Sequence, residues 1–291
     1  MKLIALDMDG TLLNSKGSIS PENSQAINYL QSRGVKVVIA TGRHYKDALG
    51  PLREAEIICP VISLNGADIR SEEGDTVYQL PIHSDIADQI VKYALDSNSY
   101  LEVYTEEGVF VNQQALSCLE AEMNEMRCAD PDSKADTVMD IAHKQFLQAT
   151  SKQSLDIESL LYKSDIYKLL FFSFNEGKLS DTLSFLKAIP EIYISSSAHH
   201  NIEINHQQAT KGFGLSRMAE AYNISIQDCV VLGDSLNDLS MFEVAGISVA
   251  MGNAEESLKL NADRTTLTND EHGVAHAIYQ IWPKEVKQCR L

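Results

Sequence analysis

The chain has 291 residues, 44% hydrophobic and 22% charged, the balance of an ordinary globular protein long enough for two domains. Its 41 acids against 24 bases leave a net charge of −17, which disfavours nonspecific binding to nucleic acid or to an anionic membrane, since both attract basic surface. Five scattered cysteines without a CxxC pair argue against a disulfide framework or a zinc site, no apolar run reaches membrane-spanning length, and the first residues carry no secretory signal, so a cytoplasmic protein is expected.

Leu3-Ile4-Ala5-Leu6 reads as a short buried strand ending on Asp7-Met8-Asp9-Gly10-Thr11. Side chains alternate along a strand, so Asp7 and Asp9 project together only while the chain stays extended. An Asp-Gly turn whose acids cap loop backbone is the plainer alternative. Ser20-Pro21-Glu22 starts a helix, Ala26, Ile27 and Leu30 form its apolar stripe, and Gly34 ends it. A β-branched strand, 35–40, runs into Thr41-Gly42-Arg43, and a shorter one, 61–64, into the turn signal Asn65-Gly66.

From about residue 83 the texture changes. A helix over 85–95 precedes Leu101-Glu102-Val103-Tyr104 and Val109-Phe110-Val111, which flank Glu106-Glu107-Gly108 as an antiparallel hairpin. Residues 115–160 are polar and weakly patterned, helix or loop. A strand over 166–174, a helix over 178–189 and a strand pair at 192–195 and 202–204 follow. At Lys211 the βαβ rhythm returns: a helix over 211–222, then Cys229-Val230-Val231-Leu232 running into Gly233-Asp234-Ser235-Leu236-Asn237-Asp238, a strand over 247–250 and a short last one near Thr265. This pattern predicts an α/β fold, a doubly wound, Rossmann-like parallel-sheet core spanning 1–82 and 209–291, with an α+β cap domain inserted at 83–208.

In a parallel sheet all strand carboxyl ends share one edge, so segments far apart in sequence can line one crevice. Asp7, Asp9 and Asp234 then offer hard oxygens but too few for a full Mg²⁺ shell, leaving room for water and a substrate phosphate. Thr41, Lys211 and Asn237 supply a hydroxyl, a point charge and an amide suited to phosphate oxygens. One carboxylate beside the metal can attack phosphorus to give an aspartyl phosphate, and a second can serve as acid and then base. Asp234 and Asp238 at i, i+4 are equally what acids in a first helical turn look like, and a lone Lys211 is by default solvated.

Taken in order, Asp7-Met8-Asp9-Gly10-Thr11-Leu12-Leu13, Ala40-Thr41-Gly42-Arg43, Lys211-Gly212 and Gly233-Asp234-Ser235-Leu236-Asn237-Asp238 resemble the motif set of the haloacid-dehalogenase-like hydrolases. The nearest match is the Cof-type subfamily, whose α+β cap (C2B type) lies between the second and third motifs. Val249-Ala250-Met251-Gly252-Asn253-Ala254 and Thr268-Asn269-Asp270-Glu271-His272-Gly273 resemble its C-terminal signature. The resemblance implies Asp7 as nucleophile and metal ligand and Asp9 as acid/base, reaching the metal through its carbonyl. Asp234 would be a side-chain ligand and Asp238 a support for the metal waters, with Thr41, Gly42, Lys211 and Asn237 holding the phosphoryl group. It also implies a turn after Asp7 that parts the two acids, and leaves Met8 a mainly backbone role.

Relatives with this texture act on sugar phosphates, on flavin mononucleotide or on 5-amino-6-(5-phospho-D-ribitylamino)uracil. A Mg²⁺-dependent phosphatase of small phosphorylated metabolites is therefore expected, as monomer or homodimer, with a phosphomutase or a phospho-accepting signalling module as alternatives. Arg43 is left between phosphate and a carboxylate partner. His199, His200 and His206 stand between the substrate mouth and a solvated strand edge, Tyr104, Tyr167 and Tyr193 between substrate stacking and packing, and His272 reads as structural.

Overall fold

The computed structural model describes residues 1–112, 114–129, 153–154, 157–161, 163–196 and 199–283. Its strands in chain order are β1 (Leu3–Leu6), β2 (Lys36–Ala40), β3 (Val61–Ser63), β4 (Asp68–Arg70), β5 (Thr76–Gln79), β6 (Tyr100–Tyr104) and β7 (Val109–Val111). There follow β8 (Gln153–Ser154), β9 (Lys168–Phe172), β10 (Ile192–Ser195), β11 (Asn201–His206), β12 (Cys229–Gly233), β13 (Ile247–Ala250) and β14 (Arg264–Thr265). They form an eight-stranded sheet, ordered β14-β13-β12-β1-β2-β3-β4-β5, and a six-stranded sheet, ordered β10-β11-β9-β6-β7-β8.

The larger sheet is parallel from β14 to β3, and an antiparallel β4–β5 addition, unassigned from the sequence, closes one edge. β1 is buried at every residue, as its unbroken apolar run requires of a strand covered on both faces. The helix Pro21–Ser32 begins where Ser20 Oγ accepts from the Asn23 amide at 3.2 Å and buries Ala26, Ile27 and Leu30. Register places Leu6 beside both Ile39 and Leu232, so the residues that follow β1, β2 and β12 emerge at one edge. There the strand order turns back on itself, with β2 and β3 on one side of β1 and β12 to β14 on the other, which is where open α/β sheets bind ligands.

The smaller sheet is antiparallel apart from the β7–β8 pairing. One of its faces, with Leu101, Val103, Leu169, Phe171, Ile202 and Ile204, joins an apolar cluster with the helix Ser84–Asp96 and with Leu186 of the helix Glu176–Lys187. The other face is unlike it. Tyr104 pairs with Lys168 and Lys168 with Asn205, while Glu102 and Glu203 flank Leu170 in the next row, all of them buried. Buried polar groups need partners, and this face finds several on the larger sheet's loops. The Asn205 amide donates to the Leu64 carbonyl at 3.0 Å, and His44 Nε2 lies 2.9 Å from the Thr105 carbonyl.

The chain leaves the core through Leu80, whose amide bonds the Ala67 carbonyl at 2.8 Å, and returns beside the Asn65-Gly66 turn. Gly66 has φ +100°, and a Cβ there would stand 2.3 Å from the Thr210 carbonyl oxygen, so only glycine lets the returning strand approach. The helix expected over 178–189 runs from Glu176 to Lys187 because the Asn175 side chain caps it two residues earlier, accepting from the Lys178 amide at 3.2 Å. Of the stretch 115–160, the helices Ala115–Ala129 and Ile157–Leu160 and strand β8 are described, and the rest lies outside the described residues. Cys59, Cys118 and Cys229 are buried free thiols. Among the described residues no helix is long and apolar enough to cross a membrane.

Candidate active site

Past β1 the chain enters a wide turn, closed by the Leu12 amide on the Asp7 carbonyl at 3.2 Å and the Leu13 amide on the Met8 carbonyl at 2.8 Å. Met8 is fully buried in the core. Gly10 has φ +75°, and a Cβ there would lie 2.3 Å from Asp234 Oδ2, so glycine both makes the turn and admits the Asp234 carboxylate. The bend separates the two acids that an extended strand would hold together. Asp7 is 4% exposed, whereas the Asp9 carboxylate lies at the mouth, gripped by Arg43 through Nε at 2.7 Å and Nη2 at 2.5 Å. Of the two roles left open for Arg43, the carboxylate partner is the one seen.

Asp234 follows β12, and its Oδ1 accepts from Thr11 Oγ1 at 3.0 Å. Asp238 folds back to accept, on Oδ2, from the amides of Asp234 at 2.9 Å and Ser235 at 3.1 Å. Lys211 opens the helix Lys211–Ala221, capped by Thr210, and its ammonium is 1% exposed. It donates to Asp7 Oδ1 and to Asp238 Oδ1, both at 2.6 Å, and to Asn237 Oδ1 at 3.3 Å. Asp7, Thr41, Gly42, Asp234 and Asn237 open on a cleft of about 270 Å³, with Lys211 and Asp238 just behind its wall.

Lys211 thus bridges two carboxylates, Asp7 and Asp238, with Asp234 close beside them. Burial, then the neighbouring Asp238 and Asp234, hold the Asp7 carboxyl well above the usual range despite Lys211. Burial and Asp238 likewise push Asp234 up to about 6, against the hydrogen bond from Thr11. Burial works against the Lys211 charge, but Asp238 and Asp7 outweigh it and keep the ammonium protonated. Oxygens of Asp7, Asp234 and Asp238 lie within 4.8 Å of one another. Hard oxygen donors with surplus negative charge fit a divalent cation of the Mg²⁺ kind, with Asp7 and Asp234 facing the cleft as the side chains that would hold it. Asp238, with both oxygens engaged, would support them from behind.

A pH dependence follows. Asp7 and Asp234 bind protons more tightly folded than unfolded, so without metal the fold loses stability as pH rises from the unfolded value of 3.8 through about 6. Mg²⁺ competes with those protons. Scanning calorimetry should therefore find that Mg²⁺ raises Tm more at about pH 7.5 than at about pH 5, with the difference lost in Asp234→Asn. An equal Mg²⁺ effect at both pH values would contradict the site.

The smaller sheet roofs the cleft with Glu102, Tyr104, Lys168 and Glu203. Glu102 accepts from the Tyr100 and Tyr104 hydroxyls at 2.5 and 2.6 Å, and Lys168 pairs with Glu203 at 2.9 Å. None of these three charged residues had been singled out from the sequence. Their signal was a lone charge between apolar neighbours, as in Leu101-Glu102-Val103 and Ile202-Glu203-Ile204. His44, also missed, lines the cleft, and burial lowers its imidazole below the ordinary histidine value against the opposing pull of the Thr105 carbonyl. His199, His200 and Tyr193 line a separate groove that meets the cleft at Asn201 and Asn237. His206 is buried against His83, with ring centroids 5.4 Å apart, Tyr167 packs in an apolar cluster, and His272 Nδ1 sits 3.0 Å from Ser20 Oγ in a structural contact.

Residues 4–278 match the family described as haloacid dehalogenase-like hydrolase. The chain is 39% identical to the phosphatase YwpJ of Bacillus subtilis over 97% of its length and 100% of that protein's. It is 40% identical to the 5-amino-6-(5-phospho-D-ribitylamino)uracil phosphatase YwtE of the same organism, over 97% of this chain and 98% of the other. A solved structure of a haloacid dehalogenase-like hydrolase from B. subtilis superposes with a TM-score of 0.84 at 38% identity, covering 97% of this chain and all of that one.

Proposed function

The chain belongs to the haloacid dehalogenase-like hydrolases, of the Cof type, and is a phosphatase of small phosphorylated metabolites; on that premise we propose that it works through an aspartyl phosphate with Mg²⁺ as cofactor. The observation that carries this reading is the convergence of Asp7, Asp234, Asp238 and Lys211 at one sheet edge, opening on a cleft lined by Thr41, Gly42 and Asn237. Mg²⁺, held by Asp7 and Asp234, would neutralise charge on the transferring phosphoryl group. Asp7 attacks phosphorus, and a bound cation would add to Lys211 in favouring its ionised form. Thr41, Gly42 and Asn237 hold the phosphoryl oxygens. Asp9, at the mouth and steered by Arg43, protonates the leaving oxygen and then takes a proton from the water that frees the enzyme.

Residues 1–82 with 209–291 form the hydrolase core in this reading, and 83–208 the cap that closes over the substrate and selects the leaving group. Sugar phosphates, flavin mononucleotide and 5-amino-6-(5-phospho-D-ribitylamino)uracil are the candidate substrates. The last gains support from the named activity of YwtE and from a roof rich in hydrogen-bonding groups, which suits a polyol chain. A phosphate-release screen of several dozen phosphorylated metabolites with Mg²⁺ should single out one of these classes. EDTA should silence the enzyme and Mg²⁺ restore it. Undiminished turnover in EDTA, or isomerisation of a sugar phosphate without phosphate release, would refute the proposal.

A further inference from the structure

The roof of the cleft contains a buried charge that the chemistry above does not use. Lys168, on β9 and 2% exposed, donates to the Gly42 carbonyl at 3.0 Å and pairs with Glu203 at 2.9 Å. The Tyr104 ring centroid lies 5.0 Å from the same nitrogen. Register explains the gathering. Tyr104 stands directly opposite Lys168, and Glu203 lies one diagonal step away on β11, on the same face of the sheet. The other Glu203 oxygen accepts from Asn65 Nδ2 at 2.7 Å, and Asn65 Oδ1 accepts from Asn237 Nδ2 at 3.4 Å.

Burying an ammonium is costly unless its donors are satisfied. Here one acceptor belongs to the inserted sheet and the other to the loop that carries Thr41. Both are in reach only when the sheet is seated on the core. Seating the sheet and fixing the Gly42 carbonyl are therefore one event.

We propose that Lys168 is a positioning residue: clamped by Glu203, it fixes the Gly42 carbonyl and so aims the Thr41 hydroxyl and the Gly42 amide at the phosphoryl group whenever the inserted sheet closes. Lys168 acts through that loop and does not read the leaving group. The inference rests on the function proposed above.

Kinetics of the Mg²⁺-loaded enzyme test it, with p-nitrophenyl phosphate, acetyl phosphate and a sugar phosphate as substrates and inorganic phosphate as inhibitor. Lys168→Met/Glu203→Gln removes both charges, so no buried carboxylate is left unpaired. This variant should lose about 10- to 100-fold in kcat, by the same factor for all three substrates, the penalty of misplacing a binding group by about 1 Å. Inhibition by inorganic phosphate should weaken in parallel, with Tm near wild type, and Lys168→Arg should recover part of the loss. A loss confined to one substrate would make Lys168 a leaving-group contact, and wild-type kinetics in the folded double variant would make the pair a mere strut; either overturns the proposal. Should the double variant not fold, Lys168→Arg decides, since it keeps the charge but alters the reach, and unchanged kinetics there also overturns it. A wild-type enzyme that releases phosphate from no substrate would instead defeat the functional reading itself.

Discussion

Replacing Asp7 by Asn should reduce phosphate release by about four orders of magnitude or more, the scale of removing a covalent nucleophile, while leaving the fold at least as stable. The carboxyl of Asp7 is buried between Asp234 and Asp238, and its proton affinity is raised even with Lys211 at 2.6 Å. An amide ends that repulsion and still offers an oxygen to Lys211. Metal-free Tm should therefore hold or rise at neutral pH. Rapid-quench trapping with labelled substrate should find phosphoenzyme in the wild type and none in Asp7→Asn. An active, well-folded Asp7→Asn protein would exclude the covalent route.

Lys211→Met should have the opposite effect on stability. Lys211 is the shared partner of Asp7 and Asp238, each at 2.6 Å, and all three are buried. Without it two buried acids face each other uncompensated, at a cost of roughly 3–5 kcal/mol. Urea unfolding should report that loss in metal-free protein at neutral pH, and activity should vanish with it. Acidifying to about pH 5 should return part of the stability, because protonation of either acid removes the conflict. A variant as stable as wild type at neutral pH would show that the ammonium does not hold the cluster together.

The same two sites show why half of the molecule was readable beforehand. Acids and a lysine at the ends of apolar strands have few structural uses, and a parallel sheet brings such ends to one edge wherever they lie in the chain. The register of β1 with β2 and β12 bears this out. Thr41 and Asn237 followed by the same logic. The roof resisted because its meaning is cross-strand. Glu102, Lys168 and Glu203 become a group only once β6, β9 and β11 are aligned, and pairing register between distant strands is not written in any one of them. The β4–β5 addition was missed because Thr76–Gln79 is polar and partly exposed, with no alternation to reveal it. Arg43 could be narrowed to two partners, but choosing between them needed the turn at Gly10 that swings Asp9 outward.

The central place of β1 bears on how the protein is made. One of its neighbours, β2, follows soon after in the chain, but the other, β12, comes only after the whole inserted sheet, and Thr11 meets Asp234 across 223 positions of sequence. As the polypeptide leaves the ribosome, the strand bearing Asp7 therefore waits with one hydrogen-bonding edge open until the last third is synthesised, while the inserted sheet has all its strands in hand and can fold first. Contacts this remote make for slow folding and a long-exposed sticky edge. Chains stopped before residue 238 should accordingly show no phosphate release, since they lack some or all of the strand and the acids that complete the edge beside Asp7.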